Sequence, residues 1–269
     1  MTQIYEEYTE EDSKVWKLLY DRQMATLSDA ASRVFLQGLK RIHLRPCQIP
    51  NFRETNVFLQ ELTGWQIHVV AGLIPDDEFF QLLSHKAFPS STWLRALSKV
   101  DYLEEPDMFH DVFGHVPMLT NKPFVRFLQE LSKIALRYLD NAWAIQLISR
   151  IYWFTVEFGL IQEEGQLRIY GAGIISSAGE TRYCLSDQAT RLDYNVDTIM
   201  RTPYRKDVFQ DRYFVINSME QLYRSTDQIE AFLKKEASRL PSDPKGRSSA
   251  QIPGQEGRDL SGSDSLSIL

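Results

Sequence analysis

The most constraining feature of the sequence is an apolar segment, "AWAIQLISRIYWFTVEFGLI", at residues 142 to 161. Its apolar side chains would cover every side of a helix, which predicts a helix buried in the protein interior. Arg150 and Glu157 are its only charged residues. They are two turns apart, about 10.5 Å along the axis, so an ion pair between them is awkward. We therefore expect the Glu157 carboxylate to meet a partner from elsewhere, either a distant basic side chain or a bound cation.

A second motif, "PDMFHDVFGHVP" at residues 106 to 117, places His110 and His115 five positions apart. On a regular α-helix such positions point about 140° away from each other, which excludes the shared face that two histidines occupy in a zinc-binding HExxH helix. Gly114 and Pro117 are helix-ending residues, and they indicate a turn that could swing the second ring back toward the first. The alternative is a capped helix end with one partly exposed histidine and one that is buried and hydrogen-bonded.

Two neutral imidazoles and one carboxylate form the ligand set of many non-haem Fe(II) sites, in which three coordination positions stay open. A divalent cation held by His110 and His115 would therefore also satisfy Glu157. Zinc usually takes fewer ligands, so iron is favoured. Cys47 and Cys184 are the only cysteines and lie far apart in sequence, so any metal must be held by nitrogen and oxygen.

The chain is predicted to be mostly α (α+β): a single domain of many helices with a few short antiparallel strands. Thr9 and Asp12 have capping-box spacing and predict a helix that begins near Thr9. Helical periodicity continues in "ASRVFLQGLKRI" and "NFRETNVFLQELTG", whereas "WQIHVV", "QLRIYG" and "DRYFVIN" have the composition of strands. Residues 1–240 are assigned to the domain, and residues 241–269, rich in Pro, Gly and Ser, to a disordered tail.

The charge balance favours a small neutral or zwitterionic ligand. The formal net charge is -6, which gives no electrostatic reason to expect nucleic acid or an anionic membrane as a partner. The acidic start of the chain lacks the features of a signal peptide, and no stretch is long and apolar enough to span a bilayer, so a cytoplasmic protein is expected.

Four segments in order, "EPDMFHDVFGHVP", "IYWFTVEFGL", "YGAGIISSAGE" and "MRTPYRKDVFQDRYFV", resemble the catalytic domain of the pterin-dependent aromatic amino acid hydroxylases, most closely the bacterial phenylalanine 4-hydroxylases. The likeness covers roughly residues 9 to 240. It implies that Fe(II) and a tetrahydropterin, tetrahydrobiopterin or a related pterin, together activate O₂ to convert L-phenylalanine into L-tyrosine.

The resemblance also implies roles for individual residues. His110, His115 and Glu157 would be the metal ligands, with Glu157 and Tyr152 at the catalytic centre. In "VAGLIPDDEFF", the backbone near Gly72 and Leu73 would hydrogen-bond the pterin. Phe79 would lie against the pterin ring and Asp111 near it, although from the residues alone core packing is the better explanation of Phe79.

For the substrate, Arg95 matches the arginine that binds the amino acid carboxylate, a role suited to a planar bidentate donor. The alternative for Arg95 is a surface ion pair. Trp153, Ser176 and Ser177 match residues that line the amino acid pocket, and for the two serines the alternative is turn chemistry after "YGAG". Phenylalanine-using members tend to have an apolar residue where this chain has Lys206, which either points outward or alters the preference for an unsubstituted ring.

Other interpretations stay open at this level. One is the same chemistry on tryptophan or tyrosine, although Trp153 argues against tryptophan because tryptophan-using members usually carry Phe there. A second is a non-catalytic amino acid-binding relative, and a third is a zinc hydrolase, which the spacing of Asp111 disfavours. The expected partners are L-phenylalanine, O₂ and pterin, and the chain is expected to be a monomer or a weak homodimer.

Overall fold

The computed structural model describes residues 1–101, 105–206 and 208–237, and it is dominated by helices, as predicted. The predicted tail, residues 241–269, lies outside the described residues. The α-helices are α1 (Glu10–Ala30), α2 (Arg33–Arg41), α3 (Phe52–Leu62), α4 (Asp76–Ser84), α5 (Lys122–Leu136), α6 (Ala142–Tyr152), α7 (Ala172–Ser176), α8 (Ala178–Tyr183), α9 (Val196–Arg201), α10 (Met219–Arg224) and α11 (Thr226–Ala237). The strands are β1 (Gln66–Val69), β2 (Ala87–Ser90), β3 (Gly159–Glu163), β4 (Gln166–Ile169), β5 (Thr190–Asp193) and β6 (Arg212–Ile216).

The first helix begins where its capping residues predict. The Thr9 hydroxyl accepts a hydrogen bond from the Asp12 backbone N–H at 3.2 Å, and the Asp12 carboxylate accepts one from the Thr9 backbone N–H at 2.8 Å. This reciprocal pair satisfies two backbone donors that the first helical turn leaves without partners. The capping box thus fixes the start of α1 at Glu10.

The predicted strands are present, but their direction is mostly not the expected one. β1 and β2 pair in parallel, and a second sheet has the strand order β4-β3-β6-β5. In that sheet β3 pairs antiparallel with β4, whereas β3 with β6 and β5 with β6 are parallel. The prediction of antiparallel strands is therefore correct only for the β3–β4 hairpin. Parallel pairing needs long crossover connections, and here the partners are separated by helices that sequence patterns place but do not orient.

The apolar segment at residues 142 to 161 is buried as predicted but is not one helix. The α-helix α6 ends at Tyr152, a π-helical turn follows at Trp153–Glu157, and β3 begins at Gly159. The Phe158 backbone N–H donates to the Trp153 carbonyl at 2.8 Å, a bond that spans five residues instead of four. The helical part of the segment therefore ends at Glu157, about one turn before the predicted end at Ile161. The last residues of the segment pair with β6 in the sheet instead.

Helix α7 lies between the segment that carries His110 and His115 and the segment that carries Glu157. It packs against the π-helical segment Phe109–His115 on one side and against Trp153–Glu157 on the other. The approach is close at Gly114, where an added Cβ would lie 3.1 Å from the Ala172 Cβ. The glycine that predicted a helix end instead permits this packing, and the chain continues without a turn into a 3₁₀ helix at Val116–Thr120.

In the described part of the chain, no helix combines the length and the apolar character needed to cross a lipid bilayer.

Candidate metal centre and active-site cleft

The two histidines and the glutamate that sequence patterns singled out converge at one point in the interior. The Nε2 atoms of His110 and His115 are 3.2 Å apart, and His115 Nε2 is 3.2 Å from Glu157 Oε1. His110 Nε2 lies 3.7 Å from Glu157 Oε2. One ligand atom from each side chain lies within 4.8 Å of the others, the arrangement of donors around a shared cation.

The local backbone explains how histidines five positions apart reach one site. Both lie in the π-helical segment Phe109–His115, whose wider turn brings residue i+5 above residue i. Glu157 ends the second π-helical turn, Trp153–Glu157. The sequence argument assumed α-helical spacing and correctly excluded a shared α-helical face. The π-helical segment, rather than the predicted turn at a helix end, brings the rings together.

The Glu157 carboxylate is buried and keeps its charge. Burial alone would raise the pKa of Glu157, but the adjacent His115 and His110 outweigh it and lower that pKa. Among the described residues no donor is aligned for a hydrogen bond to Oε1, although His115 Nε2 is close. A bound cation would satisfy a buried carboxylate oxygen that faces imidazole nitrogens without a hydrogen bond.

The hydrogen bond to Ser176 selects one tautomer of His110. The Ser176 hydroxyl donates to the Ala172 carbonyl at 2.9 Å and lies 2.8 Å from His110 Nδ1. Because its only proton is used, the hydroxyl accepts from Nδ1–H, and the lone pair of the ring is then on Nε2, which faces the other two ligands. Burial also lowers the pKa of His110, to about 4, so the imidazole is neutral. The donor set therefore fits a divalent transition metal.

The site opens to solvent through a cleft of about 600 Å³. Both His110 and Glu157 lie on its wall. The predicted substrate and cofactor residues that also line it are Leu73, Arg95, Trp153, Ser176 and Ser177. The structure thus brings one member of the predicted pterin stretch and all four predicted substrate residues to the same cavity as the ligands.

Arg95 is buried rather than on the surface. Its Nε and one terminal nitrogen donate to the two Asp107 carboxylate oxygens at 2.8 Å each. Asp107 is fully buried and also accepts from the backbone N–H of Arg95 and of His110, at 3.1 Å each. Sequence analysis missed Asp107, since a carboxylate beside a proline in a loop carries no pattern of its own. It ties the orientation of Arg95 to the backbone of His110, a candidate metal ligand.

The other residues assigned to pterin binding, Gly72, Phe79 and Asp111, do not line this cleft. Phe79 is buried and packs edge-on against the Tyr152 ring, with centroids 5.4 Å apart. Asp111 accepts from the Ser91 backbone N–H and hydroxyl, at 2.8 and 3.1 Å. Burial raises the pKa of Asp111 to about 7, although the Ser91 hydrogen bonds oppose this. A Cβ at Gly72 would meet no atom within 4 Å, so the backbone there is open to a ligand.

The hydroxyl of Tyr152 has no hydrogen-bond partner among the described residues. Burial raises the pKa of Tyr152 well above its ordinary value, and the charges of Glu157 and Asp111 add to the effect. The phenol is therefore protonated beside the metal ligands, where its O–H is a donor for a bound molecule.

Five aromatic residues close in sequence to the candidate ligands could each form an apolar wall around a metal or pack in the core: Phe109, Phe113, Trp153, Phe154 and Phe158. Of these, Trp153 and Phe158 line the cleft. Phe109 and Phe113 stack on each other with centroids 4.7 Å apart and pack into the core against Trp16 and Phe35. The open alternative of core packing is therefore the correct one for that pair. Phe154 likewise packs against Phe214 and Tyr204.

Comparison with known proteins assigns the family. Residues 3–244 match the family described as biopterin-dependent aromatic amino acid hydroxylase. The chain belongs to this family. It is 46% identical over 227 residues to a phenylalanine-4-hydroxylase of Ralstonia nicotianae, covering 84% of this chain and 72% of that protein. A phenylalanine-4-hydroxylase of Chromobacterium violaceum is 44% identical, covering 84% and 76%. A crystal structure of the Chromobacterium enzyme with bound iron(III) and 7,8-dihydrobiopterin superposes with a TM-score of 0.83 at 42% identity, covering 89% of this chain and 86% of that one.

Lys206 of this hydroxylase lines the cleft together with His110 and Glu157. Partial burial lowers the pKa of Lys206, and the negative charges of Asp76 and Glu157 oppose that shift. The lysine is therefore within electrostatic reach of the ligand cluster. Lys206 therefore lines the cleft and is at the same time exposed to solvent.

Proposed function

We propose that this hydroxylase is a phenylalanine 4-monooxygenase, which converts L-phenylalanine to L-tyrosine with O₂ and a tetrahydropterin at a non-haem Fe(II). The observation that carries the proposal is the buried cluster of His110, His115 and Glu157 opening on a cleft that also holds Arg95. The relatives of this chain from Ralstonia nicotianae and Chromobacterium violaceum are named phenylalanine-4-hydroxylases. The Chromobacterium structure contains both iron and a pterin.

His110, His115 and Glu157 would hold the iron. Bound there, Fe(II) and the tetrahydropterin supply the activation of O₂ and the electrons that the substrate does not provide. The task of the chain is to keep three coordination positions open and to keep the imidazoles neutral. The Ser176–His110 hydrogen bond and the low pKa of His110 support that task.

Arg95 would bind the carboxylate of the amino acid. Asp107 already occupies its Nε and one terminal nitrogen, which leaves the second terminal nitrogen for the substrate. An ion pair that fixes the guanidinium before binding lowers the entropic cost of recognition. The Asp107 carboxylate also neutralises most of the charge of the buried Arg95 guanidinium, which suits a substrate that is itself zwitterionic.

Trp153 and Phe158 would hold the substrate ring. Their rings are in contact, with centroids 4.6 Å apart, and both face the cleft beside Glu157. An aromatic surface there orients the ring toward the metal ligands and excludes water from the reacting carbon.

On the pterin side, Phe79, Asp111, Tyr152 and the backbone at Gly72 and Leu73 would contact the cofactor. The Asp111 carboxyl group is near enough to Tyr152 to contribute to the raised pKa of its hydroxyl. The protonated phenol can donate, and the Asp111 carboxyl group can exchange hydrogen bonds with a pterin ring that carries donors and acceptors.

We further propose a domain that spans residues 1–240, a cytoplasmic location, and a monomer or weak homodimer that needs neither nucleic acid nor membrane. The net charge of -6 supports the absence of polyanionic partners.

Anaerobic reconstitution with Fe(II), followed by an assay for tyrosine from phenylalanine with tetrahydropterin and O₂, tests the proposal. Pterin-dependent tyrosine formation is the expected result. An iron-loaded protein that binds phenylalanine without turnover would instead indicate a non-catalytic amino acid-binding relative.

One observation favours a second candidate, the same chemistry on a substituted ring such as that of tyrosine. Lys206 adds an ammonium group to a cleft wall that also carries the aromatic rings of Trp153 and Phe158. Tyrosine and tryptophan should therefore be offered in competition with phenylalanine. Preferential turnover of another ring would keep the mechanism and change the substrate.

A further inference from the structure

A buried glutamine connects the aromatic wall of the cleft with the loop that follows α9. Gln210 is 4% exposed, and its Oε1 accepts a hydrogen bond from the Trp153 indole N–H at 2.8 Å. Its Nε2 donates to the Arg205 carbonyl at 2.9 Å and to the Val208 carbonyl at 3.2 Å. The carboxamide thus uses both of its N–H groups on the loop and its oxygen on the tryptophan.

The backbone of Gln210 is fixed from a third direction. Its N–H donates to Glu180 Oε1 at 3.1 Å, and the Tyr213 hydroxyl donates to the same oxygen. Glu180 is 3% exposed and lies in α8, which follows directly after Ser176 and Ser177. Burial raises the pKa of Glu180, against the effect of the hydrogen bonds from Tyr213 and Gln210. A satisfied buried network of this kind holds a single arrangement of its members.

The two ends of the Gln210 side chain hold different parts of the cleft. Trp153 lines the cleft, and its ring stacks on that of Tyr204, with ring centroids 4.4 Å apart and an interplanar angle of 14°. Lys206 and Phe209, on the loop that Gln210 bonds, line the same cleft. A shift of the carboxamide would therefore tilt the indole and move this part of the loop together.

We propose that Gln210 is a positioning residue that determines how the substrate ring is presented to the metal ligands. The inference rests on the proposed function and deepens it. Gln210 touches neither substrate nor cofactor. Its hydrogen bond fixes the Trp153 indole, the surface against which the substrate ring lies. Its other hydrogen bonds fix the position of the loop that carries Lys206 and Phe209. Ring position decides whether oxidation of the pterin ends in hydroxylation or is wasted, because a displacement of about 1 Å can cost about 100-fold in rate.

The test measures tyrosine formed per tetrahydropterin oxidised, the position of the new hydroxyl, and separate KM values for phenylalanine and pterin. Gln210→Leu removes every side-chain bond. Gln210→Glu keeps the acceptor for Trp153 but places an oxygen opposite the Arg205 and Val208 carbonyls. Trp153→Phe keeps an aromatic ring in the wall and removes the indole donor together with part of the ring surface. Gln129→Leu is the matched control, because Gln129 also donates to a backbone carbonyl, that of Ser84 at 2.9 Å, but does not line the cleft.

In Gln210→Leu, tyrosine per pterin should fall about 10-fold and KM for phenylalanine should rise, while iron content and KM for pterin stay within about twofold of wild type. Trp153→Phe combined with Gln210→Leu should be no worse than the more impaired single variant, since the Trp153–Gln210 hydrogen bond is already absent in each of them. Should Gln210→Leu not fold, the cycle is run with Gln210→Glu. Gln129→Leu should have the wild-type ratio.

The inference would be overturned if both Gln210 variants formed as much tyrosine per tetrahydropterin oxidised as the wild type. It would also be overturned if the effects of the Gln210 and Trp153 substitutions multiplied. A loss of activity that follows only the fraction of folded protein would overturn it as well. A wild-type enzyme that makes no tyrosine contradicts the proposed function itself, which separates the two failures.

Discussion

The Nε2 atoms of His110 and His115 lie 3.2 Å apart although five residues separate them, and no α-helix would bring them together. The π-helical segment Phe109–His115 does so, and a second π-helical turn presents Glu157 to the same point. π-Helical turns are less favourable than α-helical ones and are retained mostly at functional sites. Two of them at one cluster indicate that ligand geometry determines the local backbone.

Removing a ligand should abolish iron binding. His110→Ala and Glu157→Ala are each expected to lower iron affinity by more than about 100-fold, beyond what loss of an outer-sphere hydrogen bond costs, and to eliminate tyrosine formation. Iron per protein is measured by elemental analysis after anaerobic loading and desalting. His68→Ala, at an exposed position on β1, is the matched control and should load normally. Full iron content in either ligand variant would contradict the assignment.

Ser176 should affect iron binding and Ser177 should not. Ser176→Ala removes the acceptor for His110 Nδ1–H, so the tautomer is no longer fixed, and a loss of about 10- to 100-fold in iron affinity is expected. The Ser177 hydroxyl instead accepts from the Glu180 N–H at the start of α8. Ser177→Ala should therefore cost about 1 kcal/mol of stability and leave iron affinity unchanged. Competition with a chelator measures the affinities, and equal values for the two variants would exclude the tautomer argument.

Asp107→Asn should impair both stability and substrate binding. Breaking the buried Arg95–Asp107 pair leaves an uncompensated guanidinium, which costs about 3–5 kcal/mol. The freed guanidinium also loses its orientation, so KM for phenylalanine should rise more than KM for pterin. Denaturant unfolding and steady-state kinetics check the two effects. Asp211→Asn, which removes an exposed pair with Arg212, is the control and should change neither. An unchanged KM for phenylalanine would remove Arg95 from the substrate site.

Much of the helical fold and the three ligand positions could be predicted from the sequence, because they depend on local patterns. The capping box at Thr9 determines where α1 begins, and an unpaired Glu157 in an apolar run indicates a buried partner. The π-helical turns could not be predicted, since they arise from i→i+5 bonds that tertiary packing selects over α-helical ones. Asp107 and Gln210 were missed for a related reason. Their partners, Arg95 and Trp153, are 12 and 57 residues away, and no periodicity connects them.

Lys206 should reduce the preference for an unsubstituted ring. Its ammonium group must lose water when an apolar ring enters the cleft, whereas a ring hydroxyl can accept a hydrogen bond from it. Lys206→Met keeps the length of the side chain and removes the charge. The ratio of kcat/KM for phenylalanine to that for tyrosine should rise about 10-fold in this variant. Competition assays measure it, with Lys133→Met on the exposed face of α5 as control. An unchanged ratio would mean that Lys206 does not meet the ring.

Gly171 should tolerate no side chain, because it lies against the backbone that carries Glu157. An added Cβ would be 2.4 Å from both the Glu157 carbonyl oxygen and the Gly159 nitrogen, so the chain must shift. Gly171→Ala is therefore expected to lower the free energy of unfolding by about 3 kcal/mol and to reduce iron content, since Glu157 moves with its backbone.

Gly72→Ala provides the comparison for Gly171→Ala. Because a Cβ at Gly72 meets no atom within 4 Å, the same substitution should leave denaturant unfolding unchanged. Any rise in KM for pterin in Gly72→Ala then reports on contact with the cofactor and not on the fold. Wild-type stability and iron content in Gly171→Ala would show that the backbone between β4 and α7 can relax, and that the position of Glu157 does not depend on this close approach.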